Sequence, residues 1–177
     1  MDEEIVAEMK ELKKEKIMQE MHTIESRLHY LHDRIKLINE KLVYLNEGKA
    51  TLADSNQAME SACQKLNKKL LSLRESIPDF NMEIYEEYKK YFNSKRDAIL
   101  PNLGIEAHEQ YRLYFDYEKQ FEMVEAHRKN TIESKNKIEI DINVNEEEKK
   151  ILQNQIDKAT DSLKKYKLKA ERVQKWN

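Results

Sequence analysis

The sequence predicts an all-α fold: a long antiparallel coiled-coil helical hairpin ending in a short, aromatic-rich helical tip. Three observations carry this expectation. The 177 residues include only 2 Gly and 2 Pro, far too few turn residues for a strand-rich domain or an open sheet with glycine-rich loops. A charged fraction of 37% with a mean hydropathy of −0.93 leaves apolar material for narrow helix seams and not for a thick core. The apolar residues also repeat every 3.5 positions on average, the period that keeps one stripe of a helix facing a partner helix.

The first arm, residues 1–77, carries the clearer repeat. Steps of four and three run through Ile17, Met21, Ile24, Leu28, Leu31, Ile35, Ile38, Leu42, Leu45, Lys49, Leu52, Asn56, Met59, Cys63, Leu66, Leu70, Leu73 and Ile77. Sixteen of these 18 are apolar, where composition alone gives about seven. Residues 46–56 hold Gly48 and weak helix formers, yet the register crosses them without losing phase, so one helix with a soft spot is expected there. Upstream, Ile5, Met9 and Leu12 form a stripe out of phase with Ile17, which predicts a skip and a frayed end.

The tip, residues 78–104, is bracketed by Pro78 and Pro101 with Gly104. Each proline removes an amide and disfavours helical angles in the residue before it, so the chain turns at both. Between them Ile84, Tyr88 and Tyr91 or Phe92 keep helical spacing, which predicts a short helix and not a bare loop.

The second arm, residues 105–177, repeats through Tyr114, Tyr117, Phe121, Val124, Arg128, Thr131, Lys135, Ile138, Ile142, Asn145, Lys149, Leu152, Ile156, Ala159, Leu163, Tyr166, Ala170 and Val173. Thirteen of 18 are apolar, so this seam is patchier. An antiparallel pairing sets Ile17 near Leu163 and Leu28 near Leu152, and brings the flanking g residues Arg34 and Lys41 to Glu148 and Asp141. It also joins an acidic start, eight acids against four bases in residues 2–25, to a basic end, seven bases against two acids in residues 158–175. The same pairing places Lys49 and Asn56 near Arg128, Thr131 and Lys135, a wet stretch where either a hinge or snorkelling side-chain stems is expected. A compact four-helix bundle, folded back at Gly48 and near residues 128–135, is the alternative architecture.

Composition excludes several function classes. Net charge is −2, so no whole-molecule field draws the chain to nucleic acid or an anionic membrane. The single Cys63 allows no internal disulfide framework and no cysteine zinc cluster. With no apolar leader and no apolar run long enough to span a bilayer, the expected setting is intracellular, in the cytoplasm. His22, Glu25, His29 and His32 have helical ligand spacing, but none lies on the seam, and nothing forms a pocket for nucleophilic or acid-base chemistry. No enzyme activity, cofactor, metal or small-molecule substrate is expected.

Two features point to protein partners. All four Phe and six of nine Tyr lie between residues 80 and 121; they fill a helical knob or present rings to a partner, for which Tyr85, Tyr88, Phe92 and Tyr111 are the candidates. In the stalk, Tyr30, Leu37 and Tyr44 recur at spacing seven in the c position, and Val144 and Ile151 take c in the other arm. Because g faces g in an antiparallel pair, these five share one side, as expected where a further helix docks. The reading is a structural or adaptor coiled coil that spaces and binds protein partners, as a homodimer or hetero-complex, through tip and lateral face. Alternatives are a helical chaperone or secretion-associated hairpin, and a lipid or nucleic-acid binder acting through the basic segment from Leu163 to Trp176.

Overall fold

The computed structural model describes residues 2–93 and 105–175. Pro101, Gly104 and Trp176 lie outside the described residues. Among the described residues three helices form, α1 (Glu3–Ser76), α2 (Met82–Asn93) and α3 (Ile105–Gln174), and the long α1 and α3 pack against each other as an antiparallel helical hairpin. The four-helix alternative is excluded, because α1 runs unbroken past Gly48 and α3 past residues 128–135. Every seam position in the two periodic series above is buried or half-buried.

The chain divides into two compact units, Met1–Gly48 with Ile138–Asn177, and Lys49–Lys137. Each therefore joins a piece of both arms, and the division on α1 falls at Gly48, inside the segment where the sequence repeat weakens.

In the first unit the seam is one stripe deep, with Leu31, Ile38, Leu42 and Ile156 in its core. The expected g pair is present: Arg34 Nη2 lies 3.2 Å from Glu148 Oε1. Asn145 is the one buried polar residue among those described; its amide donates to the Asp141 carbonyl one turn back, at 2.7 Å, so the polar group carries its own acceptor into the seam. A Cβ added at Gly48 would stand 3.6 Å from Ile138 Cδ1, so the glycine leaves room for an ordinary contact. At the other end α1 is helical from its first turn. The helix begins at Glu3, where Glu3 and Glu4 oppose the partial positive charge of the first turn and the Val6 amide donates to the Asp2 carbonyl at 3.2 Å. The expected skip is absent: Ile5, Met9 and Leu12 are exposed, while half-buried Lys10 and Lys14 stand at steps of four and three ahead of Ile17 and continue its register, and Lys10 Nζ donates to the Gln174 carbonyl at 3.3 Å.

In the second unit, Ile77 closes α1 with a hydrogen bond from its backbone N–H to the Leu73 carbonyl, 2.9 Å. Pro78 then forbids a further turn, and Asp79 takes the left-handed conformation with φ 50°, which short polar side chains tolerate better than most. Asn81 restarts the helix as its N-cap, its Oδ1 accepting from the amides of Glu83 at 2.9 Å and Ile84 at 3.4 Å. Further along this unit lies part of the wet stretch of the seam. Half-buried Arg128 extends its stem along the helix pair and its Nη2 reaches Glu60 Oε1 at 3.8 Å, leaving its Nε and the Asn56 Oδ1 buried without hydrogen-bond partners.

Candidate functional site

The two candidate surfaces have opposite fates. In the aromatic unit, Leu70, Ile77, Tyr85, Tyr88, Tyr111, Tyr114 and Phe115 form a single core, with Phe80, Phe92, Tyr117 and Phe121 packed around it. Tyr85 meets Tyr114 edge to face at 4.8 Å and 84°; Tyr88 stacks on Tyr111 at 5.3 Å and 12°. These are the offset and T-shaped geometries that ring quadrupoles favour. Tyr85, Tyr88 and Tyr111 are 1%, 0% and 2% exposed, so the expectation that they present rings to a partner is corrected. A third helix over the hairpin end gives the rings two neighbouring helices to pack against, and three-sided packing removes them from water. Half-buried Phe92 sits between the Tyr88 ring at 5.6 Å and the Phe115 ring at 5.0 Å, again as core.

The polar ends of these residues serve the fold. The Tyr111 hydroxyl accepts from the Asn81 amide at 3.1 Å, which ties the start of α2 to α3. Burial raises the Tyr85 hydroxyl far above its ordinary value, with the Glu118 carboxylate adding to the effect; burial and then Tyr111 raise Tyr88. Both hydroxyls are buried without a hydrogen-bond partner. Beside them Lys89 Nζ is 2.8 Å from Glu118 Oε1, and that hydrogen bond holds the lysine above its ordinary range despite partial burial. The shifts of Tyr85 and Tyr88 both hold the hydroxyl in its protonated form.

The stalk candidates lie on the surface. Tyr30, Leu37, Tyr44, Val144 and Ile151 are 63%, 57%, 76%, 59% and 56% exposed, although each is large and apolar enough to favour burial. Spacing of seven keeps Tyr30, Leu37 and Tyr44 on one face of α1, and Val144 and Ile151 on one face of α3. The Arg34–Glu148 pair joins the two helices on the same side, because g adjoins c around the helix. All of these residues belong to the first compact unit. The sequence supplied the apolar residues of this face, but Arg34 and Glu148 were read there only as a register pair. Their spacing of four and three from Tyr30, Leu37, Val144 and Ile151 was the available signal that they share the surface.

Elsewhere the chemistry is sparse. His29 Nε2 lies 3.4 Å from Asp33 Oδ2 on an exposed turn, and the described residues gather no group of three potential metal ligands. At the basic end Lys169 Nζ stands 4.8 Å over the Tyr166 ring, so part of that charge lies along its own helix. No helix among the described residues is long and apolar enough to cross a membrane. Comparison with protein-family models, curated proteins and solved structures finds no match to this chain.

Proposed function

We propose that this chain is a non-enzymatic structural or adaptor coiled coil that binds a protein partner through the lateral face of Tyr30, Leu37, Tyr44, Val144 and Ile151. One observation carries the reading: five large apolar side chains, from both helices and all on one side, stay in water while every seam position beside them is covered. Scattered apolar residues on a surface are ordinary, but an aligned set on two helices is the pattern that helix docking uses. The aromatic unit then holds the hairpin end together and the stalk presents the contacts. A cytoplasmic setting fits this role, with Cys63 buried as a free thiol.

Cross-linking mass spectrometry on the native mixture tests the proposal. Lys41 and Lys158 flank the face, and intermolecular links are expected to concentrate on them. The doubly substituted Leu37→Glu, Ile151→Glu chain should keep its helical content and lose those links. Links that persist unchanged in the variant would contradict the assignment of the face.

A further inference from the structure

The lateral face has a second repeat. On α1 its c and g positions read Tyr30, Arg34, Leu37, Lys41, Tyr44 and Gly48, at steps of four and three; on α3 they read Asp141, Val144, Glu148, Ile151 and Gln155. Each series is a heptad seam in its own right, centred about 100° around the helix from the buried seam if heptad positions are taken ~100° apart. That angle suits a bundle in which two hairpins stack face to face, each helix then meeting one neighbour within the chain and one outside it. The apolar members are exposed. The charged members are basic on α1, Arg34 and Lys41, and acidic on α3, Asp141 and Glu148. Arg34 and Glu148 pair within the chain, yet their side chains remain 48% and 40% exposed, so donors and acceptors are left over for a partner.

We infer that the occupant of this face is a second copy of the chain, related by a two-fold axis parallel to the helices, so that α1 of each copy lies antiparallel on α3 of the other. The inference rests on the reading of the face as an interface and names what covers it. Closed two-fold pairing is the commonest solution for a self-complementary surface. Two face-to-face arrangements have such symmetry, and charge separates them. With the axis parallel to the helices, Arg34 and Lys41 meet Glu148 and Asp141 of the second copy, Leu37 lies level with its Val144, and Tyr30 with its Ile151. With the axis across the helices, α1 lies on α1, which sets Arg34 against Lys41 of the other copy and acids against acids on α3. Opposite charges facing across a seam stabilise and like charges destabilise, so the first arrangement is selected. The four charges around Arg34 and Glu148 then alternate in sign, each with an opposite neighbour in its own chain and in the other. Tyr30 and Tyr44 keep their hydroxyls at the rim, where water reaches them.

The test uses three full-length chains: wild type, a reversed chain carrying Arg34→Glu, Lys41→Glu, Asp141→Lys and Glu148→Arg, and the face variant Leu37→Glu with Ile151→Glu. The reversed chain keeps its internal pair with the signs exchanged, and circular dichroism checks that all three stay helical. Sedimentation equilibrium over a micromolar concentration series is expected to give dimers for the first two and a monomer for the face variant. After isotope labelling and subunit exchange, native mass spectrometry of wild type with the reversed chain should show the mixed dimer depleted about tenfold or more against random pairing, because every charge contact between unlike copies is repulsive. Random mixing overturns the proposed arrangement. A wild-type chain that is monomeric throughout overturns the second copy as occupant, while the broader reading of the face stands or falls separately on the cross-links of the Leu37→Glu, Ile151→Glu chain. A dimer that the face variant leaves intact overturns the second copy at this face.

Discussion

Tyr88 in the aromatic unit and Tyr44 in the stalk are the same residue type on helices of the same hairpin, and one is 0% exposed while the other is 76% exposed. The difference lies in the number of helices available to pack a ring. Where α2 joins α1 and α3, a side chain on any inward face finds two neighbouring helices, so an aromatic cluster becomes core. Where only two helices run together, each buries one stripe, and a second apolar stripe has nothing to pack against within the chain. Aromatic density in the sequence is therefore a sign of interior in the first region. In the second, a modest stripe is a sign of an interface.

The largest expected effect that sharpens this comparison is the truncation of each tyrosine. Tyr88→Ala should destabilise the aromatic unit by about 3–5 kcal/mol in urea unfolding followed by circular dichroism, the cost of a cavity left by a buried ring. Tyr44→Ala, measured at a dilution where the chain is monomeric, should change stability by less than about 0.5 kcal/mol.

Alkaline titration separates the regions next. Tyr85 and Tyr88 stay protonated in the folded chain above their ordinary value of 10.0, whereas the unfolded chain gives up those protons. The folded state thus holds more protons above that pH, so stability is intact below about pH 10 and falls as pH rises beyond it. Lys89, held above its ordinary 10.5 by Glu118, acts in the same direction: its pairing is complete below that value and is lost as pH climbs through the raised one. Tyrosinate absorbance should accordingly show Tyr85 and Tyr88 ionising only with cooperative loss of helix. Smooth titration of all tyrosines together, without unfolding, would contradict the buried core.

Hydroxyl deletions probe the core on a finer scale. Tyr111→Phe removes the acceptor of the Asn81 amide and should cost about 1 kcal/mol. Tyr88→Phe removes a hydroxyl that is buried without a hydrogen-bond partner, so it should be neutral or stabilising by up to about 1 kcal/mol. Both are read as shifts in the urea midpoint at constant slope.

The smallest effect concerns the stalk backbone. Gly48 is helical, has no positive φ, and a Cβ there would meet Ile138 at an ordinary 3.6 Å. Gly48→Ala should raise stability by about 0.5–1 kcal/mol, mostly by restricting the unfolded chain. A loss would mean that the helix needs the freedom of glycine at this point.

Much of the fold was legible in the sequence because a coiled coil writes its packing into a short period. Lys49, Asn56 and Arg128 interrupt the apolar series, yet the register that includes them correctly places them on the seam, since a helix cannot change phase without a skip. The Arg34–Glu148 pair was legible for the same reason. What the period cannot report is tertiary. Nothing local says that Tyr111 receives the Asn81 amide, or that Asp79 takes a left-handed turn so that α2 lies over the hairpin. The tip aromatics therefore could not be sorted into core and surface from spacing alone. The phase at the start of α1 is not legible from apolar residues, because Ile5, Met9 and Leu12 form an exposed stripe while the half-buried Lys10 and Lys14 keep the register with long stems.

Hydroxyl-radical footprinting of the tyrosines across a dilution series tests the central claim most directly, because it reports Tyr30 and Tyr44 alongside Tyr85, Tyr88 and Tyr111 in one experiment. The three buried tyrosines are expected to be protected at every concentration, whereas Tyr30 and Tyr44 should be protected at high concentration and oxidised on dilution. Oxidation of Tyr30 and Tyr44 that is independent of concentration, or ready oxidation of Tyr88 in the folded chain, would contradict that claim.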